Sequence, residues 1–351
     1  MRIDVSYPEM CLMPGRTFQQ TWDDPRTGSE LAWVRIVAGL RALGHTVDPV
    51  WDREWSECDV SIAINDPRTL RTATGLRICE FFLNEFSFCN NEPFDEYVQI
   101  YLSPSEAHRQ KAIGDWGAPK PEKWFTNYLG CDARGHADAG VVNQSANEGR
   151  VPGRCVYCSS PDRGLHRVLE AWPAIRRAAP TATLKIFYRL APWLRQFDTT
   201  PYYPPIERNR GRALYIEEAL ARLSDPKWGV TVLDSVSHEE VLREMAQAEV
   251  LLHPCDPLAW SEGFSCTVVD ACSMGAVPVI TDADALGEVY RELDPVRLGQ
   301  WEHWRHRVIE ALTNPNELKH YQEKARVLAE ELTWANHVKR LDEVIRGRIE
   351  G

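Results

Sequence analysis

The chain has no run of about 18 apolar residues, so no membrane-spanning helix is expected. Its first ten residues, MRIDVSYPEM, include an acid and lack an apolar core, so no secretory signal is expected there either. A basic excess is also missing. Forty Lys and Arg stand against 51 Asp and Glu, a formal net charge of −11. That excludes a protein whose main surface coats nucleic acid or anionic lipid, while leaving room for a local basic patch. Internal repeats and low-complexity tracts are absent. The ten cysteines are scattered through expected strands and helices rather than spaced as a disulfide framework, which points to a reduced, cytoplasmic protein. Cys155 and Cys158 form a C-x-x-C, but in an apolar strand positions three apart face opposite sides, and no second pair follows.

What is present is a globular composition, 44% hydrophobic and 26% charged, at a length of 351 residues that suits two domains. Short apolar runs alternate with helical stripes. Strands are expected at Arg2–Val5, from Thr46, within Ser56–Ile64, at Leu76–Leu83 and at Val98–Leu102, then at Arg154–Cys158, Thr183–Tyr188 and Val230–Leu233. A helix over residues 31–43 begins after Thr27-Gly28-Ser29-Glu30, a glycine turn suited to cradling a phosphate or an acceptor group. Residues 133–150 are poor in large apolar groups and read as a linker. Residues 190–226 read as an unusually long connection ending in a helix, and such connections are commonly functional or mobile. From Trp301 onward the pattern is helical throughout.

The most informative stretch is Leu251–Tyr290, LLHPCDPLAWSEGFSCTVVDACSMGAVPVITDADALGEVY. An apolar strand ends at His253-Pro254, an acidic loop follows, and Val268, Val269, Ala271, Cys272 and Met274 mark a buried helix face. Gly275 is expected as a left-handed cap, and Ala276–Ile280 as the next strand. With the helix starting near Glu262, the amides of Glu262, Gly263, Phe264 and Ser265 would be free at its positive end, a site for an anionic or hydroxyl-rich ligand. Glu262 and Asp270, eight apart, would then lie on one side of that helix.

SEGFSCTVVDACSMGAVPVI resembles the donor-binding signature of the retaining, nucleotide-sugar-dependent glycosyltransferases of the family 4-like group, glycosyl transferases group 1. That family carries E-G-F-G and a second glutamate eight residues on; here Asp270 and Ser265 replace its second glutamate and its last glycine. Ser159-Ser160-Pro161-Asp162-Arg163-Gly164 is similar to the family's G-R-x-x-x-x-K-G. Arg163 stands for the lysine, Ser159 or Ser160 stands where the family has its arginine, and Arg189 is a candidate to supply the missing charge. Asn127–Asp132 resembles the P-N-G-V-D turn that closes the family's first domain, and Trp334 the tryptophan of its closing helix.

The resemblance implies an α/β protein of GT-B fold, two Rossmann-like domains facing each other across a cleft, with C-terminal helices crossing back to the first. The boundaries are 1–140 for an acceptor domain, 141–153 for the linker, 154–330 for a donor domain and 331–351 for the closing helix. It implies sugar transfer from a nucleoside diphosphate sugar, UDP- or GDP-linked, to a hydroxyl on a glycan, lipid, small molecule or modified nucleic acid. No cofactor and no metal are implied, and no stable membrane insertion. Ser159, Ser160, Arg163 and Arg189 would hold the diphosphate, and the loop with Val236 the base. Glu262, Gly263, Phe264 and Ser265 would hold the sugar, and Asp270 the ribose. Gly28 and Ser29 would form the acceptor or phosphate loop. The family's first-domain histidine is missing; Asn84 or Glu85 stands near its place, with Asn84 taken as the catalytic candidate beside Glu262. His238 reads as an ordinary helix-start residue, and Asp282-Ala283-Asp284 as structural or sugar-contacting. A nucleotide-sugar binding module without turnover and an enzyme modifying nucleic acid bases remain the alternatives.

Overall fold

The computed structural model describes residues 1–7, 18–23, 28–51, 54–82, 94–115, 120–132, 149–199, 204–234 and 236–350. They divide into two compact units, Met1–Cys131 with Leu332–Gly351, and Asp132–Glu331. Most of the expected linker therefore lies outside the described residues. No described helix is long and apolar enough to cross a membrane.

The first unit is built on six parallel strands: β1 Arg2–Tyr7, β2 Thr46–Trp51, β3 Val60–Ile64, β4 Leu76–Glu80, β5 Ile100–Ser103 and β6 Trp124–Thr126, in the order β2-β1-β3-β4-β5-β6. VSIAI of β3 is buried along its whole length, as a central parallel strand covered on both faces must be. The short helix α1 Phe18–Asp23 precedes α2 Gly28–Ala42, whose Trp33, Ile36, Val37 and Leu40 enter the core; α3 Glu106–Gly114 follows β5. β6 is a strand that periodicity does not announce. It is three residues long, and Trp124 holds it in place by stacking on Tyr101 at 4.7 Å.

The second unit has β7 Arg154–Tyr157, β8 Thr183–Phe187, β9 Val230–Leu233, β10 Val250–His253 and β11 Val277–Ile280, all parallel, in the order β11-β10-β7-β8-β9. Its helices are α4 Leu165–Ala178, α5 Leu190–Thr199, α6 Pro204–Arg222, α7 His238–Gln247, α8 Cys266–Met274, α9 Leu286–Val289, α10 Trp301–Thr313 and α11 Pro315–Glu331. The expected long connection after β8 is thus two helices. Trp193 meets Phe197 edge-on at 4.9 Å, and Ala213, Ile216, Ala219 and Leu223 form a buried stripe, which is why this polar-looking segment folds.

The last helix, α12 Trp334–Ile349, belongs to the first unit. Thr333 caps it by accepting the Asn336 amide, and Val338, Leu341 and Ile345 join the core of that unit. Glu80 at the end of β4 lies 3.2 Å from His337 Nε2, both fully buried. Asn127 donates to the same carboxylate at 3.2 Å, and Arg340 to the Tyr128 carbonyl at 2.6 Å, so polar contacts as well as packing hold this helix.

Candidate functional site

In the second sheet the strand order reverses between β7 and β10, and open parallel sheets bind ligands at the carboxyl ends of strands beside such a switch point. The loops leaving β7 and β10 meet there. Gly164 has φ 124°, and a Cβ on it would come within 2.1 Å of the Pro254 carbonyl oxygen, so only glycine permits the two loops to pack this closely. The first loop makes a single 3-10 turn, Pro161–Arg163, before α4, and Gly164 rather than Ser160 or Asp162 caps that helix. Ser159 is buried, and the Ser160 hydroxyl donates to Asp162 instead.

Across the loops, Arg163 Nη1 donates to Glu262 Oε1 at 2.6 Å. The Glu262 side chain is 2% exposed and that of Arg163 27%, so the guanidinium lies over a buried carboxylate with one side open to solvent. His253 Nε2, at the end of β10, lies 3.5 Å from the same oxygen. Burial pushes the Glu262 carboxyl up, but Arg163 and then His253 outweigh it, and the net direction is down. Burial opposes the charge on Arg163 as well, and Glu262 more than restores it. Cys255 is buried beside them with its thiol pushed well up, chiefly by desolvation.

The loop holding Glu262 is not helical. Asp284 Oδ2 accepts the amides of Ser261 at 2.8 Å and Glu262 at 3.1 Å, and the Glu262 carbonyl accepts from the Ala285 amide. Ser265 turns left-handed at φ 79°, its carbonyl accepting from the Tyr290 hydroxyl at 2.7 Å, and α8 begins only at Cys266. Two expectations are corrected here. The Glu262 amide is committed to Asp284, and Glu262 and Asp270 do not share a helix face, because Glu262 precedes the helix by four residues. Gly275 does end α8 in the left-handed region.

The sequence model of the family described as glycosyl transferases group 1 matches residues 159–328. The chain is a glycosyltransferase of the GT-B fold. Among solved structures it is similar to AviGT4, a glycosyltransferase involved in avilamycin A biosynthesis, at 15% identity and TM-score 0.66, over 100% of this chain and 98% of that one. A glycosyltransferase from Rickettsia africae is similar at 10% identity and TM-score 0.68, over 99% and 98%. Anabaena HepE, solved with UDP and glucose, is similar at 12% identity and TM-score 0.66, over 99% and 100%. At such identities the likeness speaks for the fold. No curated protein matches the chain in sequence.

Other anticipated residues of this glycosyltransferase fall as follows. Asp270 is buried on α8, with His238 Nε2 3.9 Å from its Oδ2. Gly263 and Phe264 are buried beside Glu262 in the chain, and Phe264 packs on Tyr290 at 5.9 Å. Val236 is exposed on the loop before α7. Arg189 is also exposed, and it forms no ion pair or hydrogen bond with Arg163, Glu262 or Ser160. In the first unit Gly28 and Ser29 open α2, Gly28 exposed and facing open space. Asn84 and Glu85 lie outside the described residues.

Sequence reasoning missed His253, Asp256 and Arg212. Asp256 Oδ2 sits 2.9 Å from His166 Nε2, 2.8 Å from Arg167 Nε and 3.4 Å from Arg212 Nη2. Burial raises the Asp256 carboxyl, but His166, Arg167 and Arg212 together bring it down to about 2. The D-A-D spacing held the one legible signal: Asp284 organises the Glu262 turn, while Asp282 accepts the Leu298 amide at 2.6 Å.

Proposed function

We propose that this glycosyltransferase moves a sugar from a UDP-sugar to an acceptor hydroxyl with retention at the anomeric carbon, and that no divalent metal takes part. The observation that carries the reading is the Arg163–Glu262 pair at the switch point. One guanidinium nitrogen is anchored on a buried carboxylate, and the remaining N–H groups make no bond to described residues. A diphosphate arriving there would meet an oriented, charge-assisted donor set, reinforced by the positive end of the α8 dipole. Leaving-group charge would thus be met by a guanidinium and a helix terminus. His253, Cys255 and Glu262 lie close enough to suggest a cation site, but Glu262 already neutralises Arg163 and the Cys255 thiol is held protonated, which favours the guanidinium as partner.

In this reading Glu262 Oε1 holds Arg163, and Oε2 is left for a sugar hydroxyl whose hydrogen bond tightens as positive charge builds at the anomeric carbon. Asp270 would take the ribose hydroxyls, and the loop with Val236 would lie along the base. UDP is favoured because Anabaena HepE was solved with it. The proposed compartment is the cytoplasm, in keeping with eight free thiols among the described cysteines. The test is a thermal-shift panel of UDP-, GDP-, ADP- and dTDP-sugars, followed by product assays with and without EDTA and NMR assignment of the anomeric centre. A UDP-sugar is expected to raise the melting temperature, and product of retained configuration to form in EDTA. Inverted product, or activity lost to EDTA and restored by magnesium, would overturn the corresponding part.

A further inference from the structure

Between β8 and β9 the chain makes a helical hairpin, α5–α6, in place of a single crossover helix. α6 packs on α4 through its buried stripe, and Arg212 in α6 reaches away to the ligand end of the sheet. Its Nη1 donates to the Asp162 carbonyl at 3.2 Å and also to the Asp256 carbonyl. Its Nη2 lies 3.4 Å from Asp256 Oδ2. The two carbonyls belong to different loops. One immediately precedes Arg163 after β7; the other follows β10 on the way to Glu262. These are the loops that Gly164 and Pro254 bring together.

A guanidinium is a rigid fork with five donors, suited to bridging several acceptors at once, whereas an ammonium is a point charge on a flexible stem. Asp256 completes the clamp, because its carboxylate also gathers Arg167 and His166 from the first turn of α4. Arg212 thus ties the Asp162 carbonyl of the Arg163 loop to Asp256, which the first turn of α4 holds in turn, and none of these contacts uses the Arg163 side chain.

We infer that Arg212 is a positioning residue of the donor site: it locks the loop Ser159–Gly164 against the loop after β10, so that Arg163 meets the diphosphate in one orientation. The functional consequence rests on the donor-site reading above; the locking itself does not.

Two measurements test it. The first is hydrogen exchange in the ligand-free protein at the Arg163 amide, which donates to the Ser160 carbonyl at 3.0 Å. Losing a charge-assisted clamp is expected to speed that exchange by about tenfold or more in Arg212→Ala, with the amides of β8 and β11 unchanged. Arg212→Lys keeps the charge but cannot span both carbonyls, and is expected to fall between; it carries the test if the alanine variant does not fold. The second is titration with UDP and with uridine. UDP affinity is expected to fall by a similar factor while uridine affinity holds, and added methylguanidinium to restore part of the loss in Arg212→Ala. Unchanged exchange in both variants, or equal losses for UDP and uridine, would overturn the inference. If the wild-type protein binds neither UDP nor uridine, the donor reading fails, and the exchange data alone decide whether Arg212 holds the loop.

Discussion

Replacing Arg163 by Ala strips a buried carboxylate of its main partner. Glu262 would keep only His253, 3.5 Å away, on a side chain that is 2% exposed while Arg163 is in place. Removing one member of a buried pair costs roughly 3–5 kcal/mol, and the low end, about 3 kcal/mol, is expected because water can enter from the open Arg163 side. The pH dependence follows from the sign of the shift. In the wild type the Glu262 carboxyl sits below its ordinary 4.5, so its contribution is present above that pH and lost as pH falls through the folded value. Without Arg163, burial dominates and the carboxyl moves above 4.5, so the variant regains stability as the solution is acidified. The gap between wild type and variant is therefore widest near neutral pH and narrows towards pH 4.5. Urea unfolding at several pH values measures it, and Glu262→Gln in the Arg163→Ala background should recover most of the loss. A variant within about 0.5 kcal/mol of wild type at neutral pH, or a gap that does not change with pH, would refute the reasoning.

Glu262→Gln in the intact background is expected to lower kcat on the order of 10²-fold with nucleotide affinity little changed, and a near-normal kcat would remove Glu262 from the mechanism. Ser265→Gly should stabilise the protein by about 0.5–1 kcal/mol, since the strain of a left-handed residue at φ 79° exceeds the entropy glycine adds to the unfolded chain; thermal melts would show a raised Tm. Asp256, held at about 2 against an ordinary 3.8, should contribute about 2 kcal/mol above pH 3.8 that is lost as pH falls through 2. Asp256→Asn should lack that part of the acid unfolding, so acid titrations of the two proteins should converge at low pH.

The sequence by itself determined the elements whose information is local. The apolar runs of β3, β10 and β11 declare buried parallel strands, the buried face of α8 is written at helical spacing, and Gly275 ends it where no side chain is wanted. The signature around Glu262 and the turn around Arg163 were legible as motifs. What they do to each other was not. Glu262 pairs with a residue 99 positions away because β10 lies beside β7 in the sheet, and that neighbourhood is a property of strand order, to which local periodicity is blind. The same holds for Arg212, whose reach to Asp162 exists only once α6 has packed on α4. Even the start of α8 was a tertiary decision. Helical spacing runs smoothly back through Glu262, but Asp284, from the loop beyond β11, accepts two amides there and holds the chain in a turn, so a contact between distant segments overrides the local preference.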